Sequence, residues 1–384
     1  MAKKYCYFSS MKKNVLEIIQ YRQAQCLIDN GFKVINVVSD NKPTEFENGV
    51  EIISTGFNAK SYLQRLILAP WRLYKKLKEI DADIYHTVHV DQLLLCLLLK
   101  LKGKKVMVEV RESHPYTYYN KSTNPEWIKK IVFSILKFYM KTTLKKVDYI
   151  LTPSQDIYDY LVDWGIDKTK INVFGNFPII NQEYKLTKEE YMNRDNRILY
   201  FGLIYSYSRQ EIFLKALSNF PDVKYLVAGK FMGNENYSYK PFLTNLPEWQ
   251  KVEFIEGFSH SELKDFIDRS TISNVLRDFS VFRTTKQGSL GIIKIFESME
   301  AALPIICTDL PLYRKIIEKY KCGILVDPLN PEQIKEAIEY LVTHKEEAWE
   351  MGQRGRQAVI EEYSWDALSV KYIELVNSMI NNNS

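Results

Sequence analysis

Arg197-Ile-Leu-Tyr-Phe-Gly202 is a short apolar run closed by a glycine, and it restarts a pattern that stalls over Asn176–Asn196. That pattern is an alternation of β-branched apolar runs with longer helical stretches, the signature of parallel sheets with crossover helices. Ahead of the stall the strand candidates are 4–8, 33–38, 49–53, 84–86, 105–110, 149–152 and 170–174, with helices over 15–30, 61–80 and 126–147. Gly31 stands where a left-handed cap ends the first helix. After the restart, strands are expected at 197–202, 223–228, 252–255, 273–276, 303–307 and 323–326. The stall is polar and holds Pro178 and the charged run Lys185–Glu190, so a linker is expected near 180–195. The reading is two Rossmann-like α/β domains, and 384 residues suit two domains better than one.

Composition narrows the function classes. Apolar residues make up 46% of the chain, enough for full cores, and the 26 tyrosines suit interfaces or sugar-lined clefts without deciding between them. Cys6, Cys26, Cys96, Cys307 and Cys322 are odd in number, lack any Cys-x-x-Cys pair and sit in apolar contexts, so free thiols in a reducing compartment are expected. The first ten residues carry no apolar signal-peptide core, and Leu93–Leu99 is far too short to cross a bilayer, which points to a cytoplasmic protein. Residues 1–180 hold 27 Lys/Arg against 18 Asp/Glu, and the remainder 25 against 29. The basic half favours anionic surfaces or phosphorylated acceptors, while nothing in it matches a nucleic-acid-binding motif.

No strand is followed by Gly-x-Gly-x-x-Gly, and no Walker loop is present, so any phosphate must be held by helix N-termini and isolated cations. Lys286-Gln-Gly-Ser-Leu-Gly-Ile-Ile-Lys-Ile-Phe-Glu297 offers such a place: small residues leading into a helix that is expected to reach about Ala301. Lys294 and Glu297 are three apart and share a face of that helix. A cation for phosphate oxygens beside a carboxylate for ribose hydroxyls is one reading, and an ordinary surface Lys–Glu pair is the other.

Lys294-Ile-Phe-Glu-Ser-Met-Glu-Ala-Ala-Leu-Pro-Ile-Ile306, Gly323-Ile-Leu-Val-Asp-Pro328, Met351-Gly-Gln-Arg-Gly-Arg356 and Tyr363-Ser-Trp365 closely resemble segments of retaining GT-B fold glycosyltransferases, the "glycosyl transferases group 1" family. Tyr200-Phe-Gly202, Val227-Ala-Gly229, Val252–Gly257 and Val147–Ser154 agree, in the right order over most of the chain. The resemblance implies two Rossmann-like domains facing across a cleft: an N-terminal acceptor domain over 1–185 and a C-terminal nucleotide-sugar domain over 186–365. The final helix, 366–384, is then expected to pack back on the first domain. It also implies transfer of a sugar from a nucleotide-diphosphate donor to a glycan, lipid-linked or protein-linked acceptor, in surface polysaccharide or glycoconjugate synthesis, without metal or other cofactor.

By the same resemblance Glu297 matches the ribose-binding carboxylate, Arg209 the diphosphate-contacting cation, and Lys294 a lysine common three residues earlier. Gly257 and Phe258 match the turn that faces the base, and Gly202, Ser289, Leu290 and Gly291 fall on the donor side. Arg111 and Glu112 align with a His or His-Glu pair that orients acceptor and reacting sugar, with His114 just beyond. Ser10 and His89 join His114 on the acceptor side. Arg209, Lys294, Glu112 and Arg111 are the catalytic candidates. Three positions depart from the family pattern: Ser289 replaces a first Glu, Leu203 an Arg after the glycine, and Ser9–Asn14 a Gly-Gly loop. They leave open a second reading, a non-catalytic GT-B subunit that binds a partner or nucleotide-sugar without turnover.

Two further features remain open at this level. His86 and His89 lie three apart in a run that reads as a strand end, a poor spacing for metal and a better one for structural or cleft-lining roles. The helix over 126–147 carries Lys130, Lys137, Lys141 and Lys145 on one side and Ile128, Ile131, Ile135 and Tyr139 on another. A solvated lysine face on a crossover helix explains this, and so does peripheral contact with the anionic inner face of a membrane.

Overall fold

The structure, a computed structural model, describes residues 2–10, 18–58, 60–258, 260–279 and 291–381. The chain forms two compact units, Met1–Asn176 with Leu368–Ser384, and Phe177–Ala367. Each is built on its own sheet.

In the first unit the strands are β1 (Lys4–Ser9), β2 (Lys33–Val38), β3 (Glu45–Glu47), β4 (Val50–Ser54), β5 (Ile84–Thr87), β6 (Lys105–Glu109), β7 (Tyr149–Thr152) and β8 (Ile171–Val173). They lie in the order β3-β4-β2-β1-β5-β6-β7-β8. Every pairing is parallel except β3 with β4. Parallel strands covered on both faces read as unbroken apolar runs. Val106, Met107 and Val108 of β6 show the consequence, since all three are fully buried.

The antiparallel β3 is absent from the sequence expectation, because Glu45-Phe-Glu47 is too short to display a period. Its turn is nonetheless written in the chain. Asn48 and Gly49 both have positive φ, at 49° and 81°, as a two-residue hairpin turn demands. Gly49 therefore belongs to the turn, and the next strand starts at Val50 rather than at the glycine.

Helices α1 (Ile18–Asp29), α2 (Tyr62–Ile80), α3 (Leu93–Leu101), α4 (His114–Lys121) and α5 (Glu126–Leu144) join these strands. Gly31, with φ at 80°, follows α1 in the left-handed conformation expected of it. Helix α4 was not anticipated; Pro115 in its first turn suits a helix start, where no N–H is needed. Lys130 and Lys145 of α5 are exposed, but the face they stand on is not a lysine face alone. The outward face of the helix carries Trp127, Ile131, Ile135 and Phe138, all exposed, while Met140, Thr143 and Leu144 are buried. Of the apolar side read as Ile128, Ile131, Ile135 and Tyr139, only Ile128 and Tyr139 are half-buried, together with Val132 and Leu136, while Ile131 and Ile135 are exposed.

The second sheet holds β9 (Arg197–Ile204), β10 (Lys224–Phe231), β11 (Val252–Glu256), β12 (Ile272–Asn274), β13 (Ile305–Thr308) and β14 (Gly323–Val326). Their order is β11-β10-β9-β12-β13-β14, all parallel. The order reverses beside β9, so the carboxyl ends of β9 and β12 flank the crevice where open α/β sheets take ligands. The segment after Asn176 packs within this unit. The Phe177 ring meets Phe296 edge-on at 4.7 Å, and Arg356 donates from Nη2 to the Asn181 carbonyl at 2.8 Å.

From Leu368 the chain counts with the first unit again. Tyr372 fixes it there, its hydroxyl 3.1 Å from that of Tyr7 and 3.0 Å from that of Tyr5, all three rings fully buried. Burying a ring of this size contributes about 2 kcal/mol in transfer free energy.

Candidate functional site

At the carboxyl end of β9 a cavity of about 490 Å³ opens within the second unit. The end of β9 supplies Gly202 and Leu203, the turn after it Tyr205 and Tyr207, and the helix Ile293–Glu300 with the residue two before it supplies Lys294, Glu297 and Gly291. Phe201, Phe258 and Arg277 add to the polar and aromatic lining. Ile292 offers no side-chain cap to the helix. Gly291, Ile292, Ile293 and Lys294 all line the cavity, so the positive dipole end of the helix lies at it, an arrangement suited to an anion.

Lys294 is 7% exposed, with Nζ 3.7 Å from the centre of the Tyr200 ring. Burial holds this amine well below its ordinary range; the nearby Arg277 pushes it the same way, and Glu297 opposes both. The aromatic face compensates part of the desolvation of an ammonium. Tyr200 also donates from its hydroxyl to the Leu203 carbonyl at 2.8 Å, which ties down the turn that passes over the lysine. Gly202 sits at that crossing with φ at 99°, and a Cβ there would stand 2.8 Å from Lys294 Cε. Only a glycine both adopts this backbone and leaves the lysine its channel.

Arg277 was not anticipated from sequence. Its backbone is clamped by Thr308, which accepts from the Arg277 N–H at 2.9 Å and donates to the Arg277 carbonyl at 2.7 Å. The guanidinium lies 5.6 Å from the centre of the Tyr207 ring, and Tyr207 stacks on Tyr205 at 4.6 Å. The cavity is thus lined by two basic groups, the Arg277 guanidinium and the Lys294 amine, together with the carboxylate of Glu297. Arg209 is placed differently. Its Nε donates to Asp278 Oδ2 at 2.6 Å, its Nη2 meets the same oxygen, and its Nη1 is 3.4 Å from Glu211. Arg209 does not line the cavity; it holds the residue next to Arg277. Gly257, with φ at 75°, turns the chain ahead of Phe258. Ser289 and Leu290 lie outside the described residues, as do the residues of the Ser9–Asn14 loop beyond Ser10.

In the first unit the acceptor-side candidates gather only in part, at the carboxyl ends of β1, β5 and β6. Ser10 donates to Asp91 Oδ2 at 2.7 Å. His114 Nδ1 lies 3.2 Å from Glu112, and burial lowers its pKa while Glu112 and Asp91 oppose the shift. Asp91 is therefore common to the Ser10 and His114 sides. His89 begins the short turn Val90–Gln92 beside them.

Arg111 turns inward instead. Its Nε donates to Glu109 Oε1 at 2.9 Å, and burial lowers its pKa to about 10. Glu109, a carboxylate closing the apolar run of β6, is not among the site residues expected from sequence. Burial raises it to about 7, against a hydrogen bond from Gln23. His86, pushed down to about 3 by burial, accepts or donates at Nδ1 to the Tyr5 hydroxyl at 2.8 Å. It is a packed core histidine, one of the two roles, structural or cleft-lining, expected of it. Among the described residues no cluster of three His, Cys, Asp or Glu could hold a metal ion, and all five cysteines are free thiols. No helix of the described residues is long and apolar enough to cross a membrane.

Both halves of the chain match glycosyltransferase family models. The family model "Glycosyltransferase Family 4" matches residues 16–177, and the model "Glycosyl transferases group 1" matches residues 182–358. A poly(ribitol-phosphate) alpha-N-acetylglucosaminyltransferase of Staphylococcus aureus (strain COL) is 28% identical over 110 residues, 28% of this chain and 22% of the relative. The chain spans less than half the length of the curated relatives it matches. Among solved structures, sucrose-phosphate synthase from Thermosynechococcus elongatus superposes with a TM-score of 0.74 at 13% identity, over 99% of each chain. Anabaena Alr3699/HepE, solved in complex with UDP and glucose, gives 0.70 at 12% identity, over 98% of this chain and 100% of that one.

Proposed function

Since the chain belongs to the group 1 glycosyltransferases and has their GT-B fold, we propose that its C-terminal cavity holds a nucleotide-diphosphate sugar whose glycosyl group is transferred with retention of configuration. The observation that carries this is the meeting of Lys294, Arg277 and Glu297 in one cavity at a helix N-terminus. In this reading Glu297 accepts from the ribose hydroxyls, Phe258 faces the base, and the two cations with the helix N–H groups receive the diphosphate. Arg209 acts at one remove, by fixing Asp278 beside Arg277. The Anabaena complex with UDP and glucose supports a uridine donor and a hexose. The staphylococcal relative's name supports an acceptor in a cell-surface polymer, glycan-, lipid- or protein-linked.

Retaining transfer from a diphosphate asks little of a protein nucleophile. The acceptor attacks from the face the leaving group departs, and a leaving phosphate oxygen takes the acceptor's proton. The protein's part is to stabilise negative charge growing on the diphosphate and to hold both substrates in line. Fixed cations supply that charge, so turnover is expected without divalent metal. On the acceptor side Ser10, His89, Glu112 and His114 are proposed to orient the incoming hydroxyl, with Arg111 and Glu109 behind them.

Two measurements test the reading. Donor turnover in excess chelator is expected to equal that in buffer; strict dependence on an added divalent cation would sink the metal-free mechanism. Glu297→Ala and Arg277→Ala are each expected to cut turnover more than about tenfold with the fold intact. Wild-type rates in both variants would remove the assignment.

A further inference from the structure

We propose that the outer faces of α3 and α5 in the first unit dock on the surface of an anionic lipid bilayer. The inference stands apart from the donor cavity and needs no turnover there.

Helix α3 reads Leu93-Leu-Leu-Cys-Leu-Leu-Leu-Lys-Leu101, with a single polar residue. A helix apolar all round should be buried all round or partnered. Leu93, Leu95, Cys96 and Leu99 do face the core, yet Leu94, Leu98 and Leu101 stand 60%, 46% and 82% exposed. Helix α5 repeats the feature on a longer span. Trp127, Ile131, Ile135 and Phe138 recur at helical spacing on its outward face and are 65%, 51%, 61% and 70% exposed. The two helices are neighbours. One crosses from β5 to β6 and the other from β6 to β7, and right-handed crossovers between successive strands put both on the same side of the sheet. The Tyr139 hydroxyl of α5 donates to the Val90 carbonyl, just ahead of α3, at 3.2 Å. Apolar side chains on two adjacent outward helix faces need an occupant.

The charge around these faces selects it. From Glu126 to Lys146 the chain carries Lys129, Lys130, Lys137, Lys141, Lys145 and Lys146 against the single Glu126. Lys130 and Lys145 stand on the outward face itself, and Lys102 is exposed just beyond the end of α3. Protein–protein contacts are depleted in lysine, and a second copy would set these like charges against each other. An anionic headgroup layer neutralises them while its acyl boundary takes the leucines and isoleucines. Trp127, at the amino end of α5, is the residue type that favours the headgroup level.

The test is co-sedimentation of the full chain with vesicles of phosphatidylcholine alone or with about a third phosphatidylglycerol, at low and moderate salt. Wild type is expected to sediment with the anionic vesicles, weakly with the zwitterionic ones, and less as salt rises. Ile131→Glu combined with Phe138→Glu, both at exposed positions, is expected to lower anionic-vesicle partitioning by at least about tenfold at unchanged melting temperature. Replacing Lys130 and Lys145 by Gln is expected to lower it less and to flatten the salt dependence. The proposal is overturned by wild type that stays in the supernatant at low salt, or by undiminished partitioning of the Glu variant. It is also overturned by light scattering that shows a wild-type dimer dispersed by the same two substitutions, which would make a second copy the occupant.

Discussion

Lys294→Met is expected to lower donor affinity and turnover by roughly 100-fold while leaving the free protein at least as stable as wild type. The two effects share one cause. In the free protein the amine is almost fully enclosed, and its charged form is disfavoured by burial and by Arg277. A thioether of similar length fills the same channel against Tyr200 without that cost. The diphosphate changes the balance, because a dianion beside the amine restores the ammonium.

The sign of the pH dependence follows. Bound donor raises the pKa of Lys294 above its depressed value in the free protein, so binding takes up a proton and affinity falls as pH rises through that depressed value. For folding the direction is opposite. Above the depressed folded pKa and up to the ordinary lysine range, the unfolded chain holds a proton that the folded chain does not, so this group's contribution improves with rising pH. Titration calorimetry of UDP in buffers of different ionisation enthalpy reads the proton uptake, and Lys294→Met should abolish it. A variant that binds UDP as wild type does, or that melts several degrees lower, would argue against this role for the lysine.

Gly202→Ala is expected to do nearly as much harm without removing any charged group. Its φ of 99° suits glycine, and the added methyl would press on Lys294 Cε. Strain and crowding together should cost about 1–3 kcal/mol of stability. The displaced lysine should lose most of its contribution to donor binding. A double-mutant cycle separates this from a general loosening of the turn. In a Lys294→Met background, Gly202→Ala should weaken UDP binding much less than it does alone. Additive losses would mean that Gly202 acts through something other than the lysine.

Much of this architecture was legible in the chain because the parallel strands are written as short unbroken apolar runs. β2, β7 and β14 fall where the apolar runs place them. The pair Lys294 and Glu297 was legible through helical spacing and family resemblance, and both line the cavity. Arg277 was not, because no period links it to Lys294. It reaches the cavity from the end of a different strand, and only folding brings the two cations together. Arg209 stands at a suggestive distance from Gly202 in sequence, yet the carboxylates of Asp278 and Glu211 claim its guanidinium. Spacing carries no information about such rivals. Helix α5 shows a related ambiguity. It bears two apolar stripes, and sequence alone does not say that Val132, Leu136 and Met140 face inward while Ile131 and Ile135 face out. Glu109 could have been found, since a carboxylate that closes an apolar strand must acquire a partner.

The central claim, a nucleotide-sugar seat in the cavity lined by Lys294, Arg277 and Glu297, is tested most directly by titrating UDP-, GDP- and ADP-sugars into wild type and Glu297→Ala. One nucleotide series, with UDP favoured, should bind wild type and raise its melting temperature, and the variant should lose at least about tenfold in affinity for it. No binding by any of the three, or equal binding by wild type and variant, would contradict it.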